Sequence, residues 1–165
     1  MGTQSFSGGC QCGAVRFSVH GEPTDTSVCY CRMCQKASAS QALALASVRG
    51  LKLEWTRGEP SWFRSSNHAR RAFCGRCGTP LGYEAPDGLA LSVLAFDEPA
   101  RLAPTIAYGV EGKLPWADAV PHLPERHTMD DEEAAPFLAT LVNYQHPDHD
   151  TETWPPQGGS PEDRG

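Results

Sequence analysis

Three thiols within six residues, Cys29-Tyr30-Cys31-Arg32-Met33-Cys34, form a C-x-C-x-x-C cluster. Two pairs flank it: Cys10 and Cys12 as C-x-C, and Cys74 and Cys77 as C-x-x-C. A turn of either kind presents two sulfurs to one metal, and zinc takes four such ligands in a tetrahedron. The flanking pairs therefore predict a closed, structural zinc site made of Cys10, Cys12, Cys74 and Cys77. Cys29, Cys31 and Cys34 are then a set of three. Zinc on three protein ligands keeps an open position, the signature of a catalytic site. Three thiolates leave the ion with a charge of about −1, suited to holding a soft thiol as thiolate rather than to making hydroxide. The same three cysteines could instead form a redox pair plus one, or share ligands with the other site. Spacing alone leaves those groupings open.

The elements that must position these thiols read mainly as strands. Residues 14–20 alternate, with Val15, Phe17 and Val19 on one face, the pattern of a half-buried strand. This strand leaves a glycine-rich turn, Gly8-Gly9-Cys10-Gln11-Cys12-Gly13, that carries the first pair. A short strand over 27–30 runs into the central cluster, and 32–36 suits one helical turn. Strands follow over 41–48 and 51–55, and Gly58-Glu59-Pro60 turns the chain so that 62–64 returns as a hairpin partner. A strand over 70–74 ends in the second pair, with further strands at 79–84, 89–95 and 106–110. Residues 130–143 read as an acidic-started helix with Phe137, Leu138, Leu141 and Val142 as its apolar stripe. The expected organisation is a single zinc-binding β domain over 1–129, a C-terminal helix over 130–144 and a disordered tail over 145–165.

Composition fits. Only 39% of the 165 residues are hydrophobic, and 16 Gly and 14 Pro suit a turn-rich β protein. The formal charge of −6, with no basic block, argues against nucleic acid or an anionic membrane as partner. The first residues lack signal-peptide character, and no apolar run is long enough to span a membrane. The expectation is a cytoplasmic chain, where clustered and odd-numbered cysteines serve as ligands or catalysts rather than disulfides.

With these residues in place, the sequence resembles the glutathione-dependent formaldehyde-activating enzyme family, also related to centromere protein V, whose members have the β-tent fold. The matching stretches are Gly9-Cys10-Gln11-Cys12-Gly13-Ala14-Val15, Cys29 through Lys36, and Arg71 through Leu81. Asp97-Glu98-Pro99 and Leu114-Pro115-Trp116 match less specifically. The resemblance implies a β-tent of small antiparallel sheets, two zinc ions per chain, and the same division of cysteines into a structural and a catalytic set. It also implies a carbon–sulfur lyase-type reaction in which glutathione adds reversibly to an aldehyde, giving an adduct such as S-hydroxymethylglutathione. Members commonly have His at the position of Tyr30, Gly at that of Ala39 and His at that of Ala107. Both cysteine sets are untouched by these departures.

Around the central cluster, Arg32, Lys36 and Ser38 are candidates for contacts with glutathione or another thiol substrate, and Ser40 could donate similarly. Arg71 is placed to offset thiolate charge. His68 falls in a loop, and Trp116 reads as a packing anchor. His122, His127, His146 and His149 show no ligand spacing. The alternative to an enzyme is a non-enzymatic interaction module with two structural zinc ions.

Overall fold

Ten short strands form the framework of the fold. The computed structural model describes residues 4–155. Its strands are β1 (Ser5–Gly9), β2 (Arg16–His20), β3 (Thr24–Cys29), β4 (Leu43–Ser47), β5 (Lys52–Arg57), β6 (Ser61–Arg64), β7 (Arg70–Phe73), β8 (Pro80–Ala85), β9 (Gly88–Ser92) and β10 (Ile106–Tyr108). Two short α-helices, α1 (Arg32–Ser38) and α2 (Ala135–Leu138), complete the regular elements with several 3-10 turns. The fold is mainly β, as composition and alternation predict. One sheet has three strands in the order β1-β2-β5, and the other has seven in the order β10-β3-β4-β9-β8-β7-β6. The large sheet is antiparallel except at its edge, where β10 runs parallel to β3.

The core lies between the sheets. Phe6, Phe17 and Val19 from the small sheet meet Ala46, Ala72 and Leu91 from the large one. Phe17 is fully buried and stands edge-on to Phe96 at 5.0 Å and to Trp55 at 5.9 Å. Residues directly paired across strands share a sheet face, as do residues i and i+2. The pairs Cys29–Leu43, Leu45–Ser92, Ala90–Tyr83 and Tyr83–Arg71 therefore lie on the face opposite this core. A second, smaller apolar cluster of Cys29, Cys34, Leu43 and Leu45 forms there. The two faces of one sheet thus carry the two cysteine sets.

Three expectations need correction. β5 and β6 are not a hairpin: β5 pairs with β2 and β6 with β7. The Gly58 turn instead passes the chain between sheets, with φ +56° and the Ala14 carbonyl pressed where a side chain would start. The C-terminal helix is four residues long. Asp131 Oδ1 accepts from the amides of Glu133 and Ala134 to start it, but Phe137, Leu141 and Val142 are exposed. A helix without a buried face gains little beyond its costly first turn. Finally, residues 145–155 are not a loose tail. His146 is buried, Arg57 donates to Thr151, and Asp150 accepts from Arg16. The rest of that expected tail, 156–165, lies outside the described residues.

Candidate metal centres

The four-cysteine centre is built from two turns of the same design. Cys10 N donates to Val15 O, and Gly13 N to Cys10 O. In parallel, Cys74 N donates to Thr79 O, and Gly78 N to Cys74 O. Gly13 and Gly78 both adopt positive φ, +77° and +79°, where a side chain would be strained. Amides also point at sulfur, Val15 N to Cys10 Sγ at 3.3 Å and Cys77 N to Cys74 Sγ at 3.5 Å. Four thiolates about 2.3 Å from a tetrahedral centre stand roughly 3.8 Å apart. Here Cys10 and Cys12 sulfurs are 3.6 Å apart, Cys12 and Cys74 are 3.9 Å apart, and all four lie within 4.8 Å of one another. Burial pushes the Cys10 and Cys12 thiols up, while at Cys77 burial is overcome by hydrogen bonds from Thr79 and Cys12 together, which bring it down to about 6. Mutually crowded, partly ionised thiols of this spacing fit a metal cation.

The C-terminal segment straps this centre from outside. His146 N donates to Gln11 O at 2.8 Å, and Trp154 Nε1 donates to Cys12 O at 2.7 Å. Burial, together with the nearby Arg16 and Arg57 charges, holds His146 below its ordinary pKa. Its Nδ1–H donates to Pro147 O, leaving Nε2 to accept from Arg57 Nη1 at 3.2 Å. His146 is thus a packing residue beside the centre and not one of its sulfur ligands. A cleft of about 440 Å³ opens between strap and centre, lined by Gln11, Arg16, Thr79, Asp97 and His146 among others. It shares no residue with the three-cysteine turn.

The three-cysteine centre sits where β3 ends and α1 begins. Cys29 closes β3, Cys31 is the N-cap of α1, and Cys34 lies in its first turn. The three sulfurs lie within 4.8 Å of one another. Burial pushes Cys29 up to about 12. At Cys31 burial is overcome by the amides of Cys34 and Met33 and by the neighbouring thiols, and the thiol falls below its ordinary value, as thiols at helix starts do. Gln35, 2% exposed, ties the turn down by donating to Tyr30 O and Gly112 O, both at 2.9 Å. Gly109 and Gly112 let the 109–112 segment press against the Cys31 backbone. Arg71, expected as a charge partner, is buried with Nη2 3.5 Å from Cys34 Sγ and Cζ 4.9 Å from the Tyr83 ring centre.

The other candidates scatter. Arg32 is exposed and bonds Gln35 Oε1 at 3.4 Å, and Lys36 is exposed in the last turn of α1. Ser38 Oγ donates to Cys34 O at 2.9 Å, so its hydroxyl serves the helix end. Ser40 and His68 are exposed. Trp116 is 54% exposed and not the packing anchor expected. Gln35 and Tyr83 escaped sequence reasoning. Gln35 lies inside the cysteine stretch, but its burial depends on the distant segment 109–112. Tyr83 could have been found only by registering β8 against β7.

Residues 5–111 match the family described as glutathione-dependent formaldehyde-activating enzyme. Among solved structures, a structural-genomics target from Rhodobacter sphaeroides is 22% identical. The match covers 61% of this chain and 98% of that one, with a TM-score of 0.46. Either cysteine group could hold a metal ion, and no helix among the described residues is long and apolar enough to cross a membrane.

Proposed function

Because the chain belongs to the glutathione-dependent formaldehyde-activating enzyme family, we propose that it is a zinc-dependent carbon–sulfur lyase-type enzyme acting on a glutathione–aldehyde adduct such as S-hydroxymethylglutathione. The observation that carries this reading is the difference in ligand count. Cys10, Cys12, Cys74 and Cys77 form a set of four, whereas Cys29, Cys31 and Cys34 form a set of three. The first set would hold a structural zinc and the second a catalytic one with a position left for substrate.

Zinc on the three thiolates would supply a binding point at which a substrate thiol is held as thiolate. The chain's own residues set up that point. Gln35 fixes the turn, the amides at the start of α1 face the Cys31 sulfur, and Ser38 holds the Cys34 carbonyl. Arg32 and Lys36, exposed on α1, are assigned to the carboxylates of glutathione. In the addition direction a sulfur–carbon bond forms, the carbonyl π pair moves onto oxygen, and a proton from water completes the adduct. The lyase direction reverses these steps. Holding thiol and aldehyde together supplies proximity and nucleophile activation. Such chemistry belongs in the cytoplasm, where glutathione is reduced.

The test is Cys31→Ser. Metal content is expected to fall from two zinc ions per chain to one, with unchanged circular dichroism and no adduct cleavage. Parental turnover in that variant would overturn the mechanism. A second reading, an interaction module with two structural zinc ions, is favoured by the exposed apolar side chains of Ile106, Tyr108, Val110, Leu123 and Phe137. Titrating the metal-loaded protein with thiols separates the two, because a module's second metal ignores every thiol.

A further inference from the structure

Three buried polar atoms lack a hydrogen-bond partner among the described residues: Arg71 Nη1, Ser92 Oγ and Gln41 Oε1. Strand pairing puts Arg71 and Ser92 on the sheet face that bears the three-cysteine centre. Arg71 is the informative one. It is 8% exposed, its Nη2 donates to Cys34 Sγ at 3.5 Å, and its Cζ lies 4.9 Å from the Tyr83 ring centre. A guanidinium stays charged and offers its donors as a rigid fork. One prong of this fork is spent on sulfur. The neighbouring prong is buried beside that sulfur without an acceptor, a placement that favours an incoming anionic oxygen.

We propose that Arg71 is the anion-binding residue of the three-cysteine site, with Nη1 receiving a negatively charged oxygen two or three bonds from the substrate sulfur. This rests on the reading that a thiol occupies that centre. In the addition direction, the oxygen would be the one that gains the carbonyl π pair as the sulfur–carbon bond forms. Arg71 gives up no proton, and water protonates that oxygen afterwards. A carboxylate carried by the aldehyde would satisfy the same prong. The site thus selects adducts by an oxyanion close to sulfur, in addition to the contacts assigned to Arg32 and Lys36.

Mercaptoacetate and its methyl ester test this, since they differ in one charge three bonds from sulfur. Their affinities for the zinc-loaded protein are compared by calorimetry, after metal content has been checked in every variant. The ratio of the two affinities is expected to favour mercaptoacetate at least about tenfold more in the parental protein than in Arg71→Gln. Taking the ratio between proteins cancels the difference in thiol acidity. Arg71→Lys, which keeps the charge but not the fork, is expected to lie between them. On the parental protein, the Arg71 Nε–Hε resonance should move with mercaptoacetate and stay with the ester, a readout that needs no variant. Arg71→Gln should also lower kcat for the formaldehyde adduct if the oxygen is an alkoxide, or raise KM only for a carboxylate-bearing adduct if it is a carboxylate. Equal ratios in the parental protein and Arg71→Gln, with a stationary resonance, overturn the inference while leaving the thiol site standing. If neither thiol binds, the thiol site itself falls, and Arg71's role with it.

Discussion

Replacing Asp97 by Asn tests the main polar link inside the fold. Arg16 is 2% exposed, and its guanidinium donates to both oxygens of Asp97, at 2.8 and 2.5 Å. Ser7 Oγ adds a bond to Asp97 Oδ2 at 2.6 Å. Removing one partner of a buried pair costs about 3–5 kcal/mol because the other charge is left uncompensated. Asp150, whose side chain is 56% exposed, still accepts from Arg16 in the variant. The expected loss is therefore at the low end, about 3 kcal/mol, or roughly 6–12 °C in Tm for a chain of this size. The assay is urea unfolding at fixed zinc concentration, since bound metal shifts apparent stability. Replacing the pair together, Arg16→Met with Asp97→Leu, should cost less than Asp97→Asn alone. The sign with pH follows from the Asp97 pKa. Burial acts to raise it, but Arg16 and Ser7 outweigh burial and hold it below the ordinary aspartate value of 3.8. Its contribution is present above that unfolded value and is lost as pH falls through the folded one. Asp97→Asn should therefore flatten part of the acid-unfolding slope. A loss under about 1 kcal/mol, the range of an exposed pair, would refute the assignment of a buried, uncompensated charge.

Other changes have equally definite outcomes. Ala39 caps α1 in the left-handed region, at φ 50°. Ala39→Gly should stabilise the fold by roughly 0.5–1 kcal/mol, read from a shifted urea midpoint without a change in slope. Gly109→Ala should act oppositely and locally. Gly109 has φ +62°, and a Cβ there would meet Cys31 N at 3.0 Å, so loss of metal from the three-cysteine centre alone is expected in a chelator competition. Ending the chain after Tyr144 removes the bonds from His146 N and Trp154 Nε1 to the Gln11 and Cys12 carbonyls. Metal release from the four-cysteine centre to a chromogenic chelator should then quicken about tenfold, and an unchanged rate would show the strap to be idle.

The cysteine spacings made both centres legible before any fold was known, because short C-x-C and C-x-x-C turns leave sulfur few partners. The alternation around Phe17 likewise announced a strand whose apolar face is buried. What stayed hidden depended on register and on distant contacts. Nothing local in Trp62-Phe63-Arg64 says that it pairs with β7 instead of β5. The polar sequence after Gln145 resembles an unstructured tail. It is ordered by acceptors it finds elsewhere: the carbonyls of Gln11 and Cys12 for its amide and indole, and by Arg16 and Arg57 for Asp150 and Thr151. The apolar stripe of 137–142 misled in the opposite direction. Its helical spacing is real, but the fold provides no surface to bury it, so only four residues become helix.

The placement of the cysteines also sets an order of assembly. Cys12 and Cys74 stand 62 residues apart in the chain, whereas Cys29 and Cys34 sit within a single short turn. Bringing the distant pair together costs roughly 2 kcal/mol more loop-closure entropy than closing the short turn. A cation can therefore be captured by Cys29, Cys31 and Cys34 while most of the chain is still unfolded. The four-cysteine centre can close only after β1 and β7 have been brought together from opposite sheets. During synthesis the short turn also leaves the ribosome well before Cys74 does. Metal supplied late should therefore fill the three-cysteine centre first, and the four-cysteine centre only once the two sheets have docked.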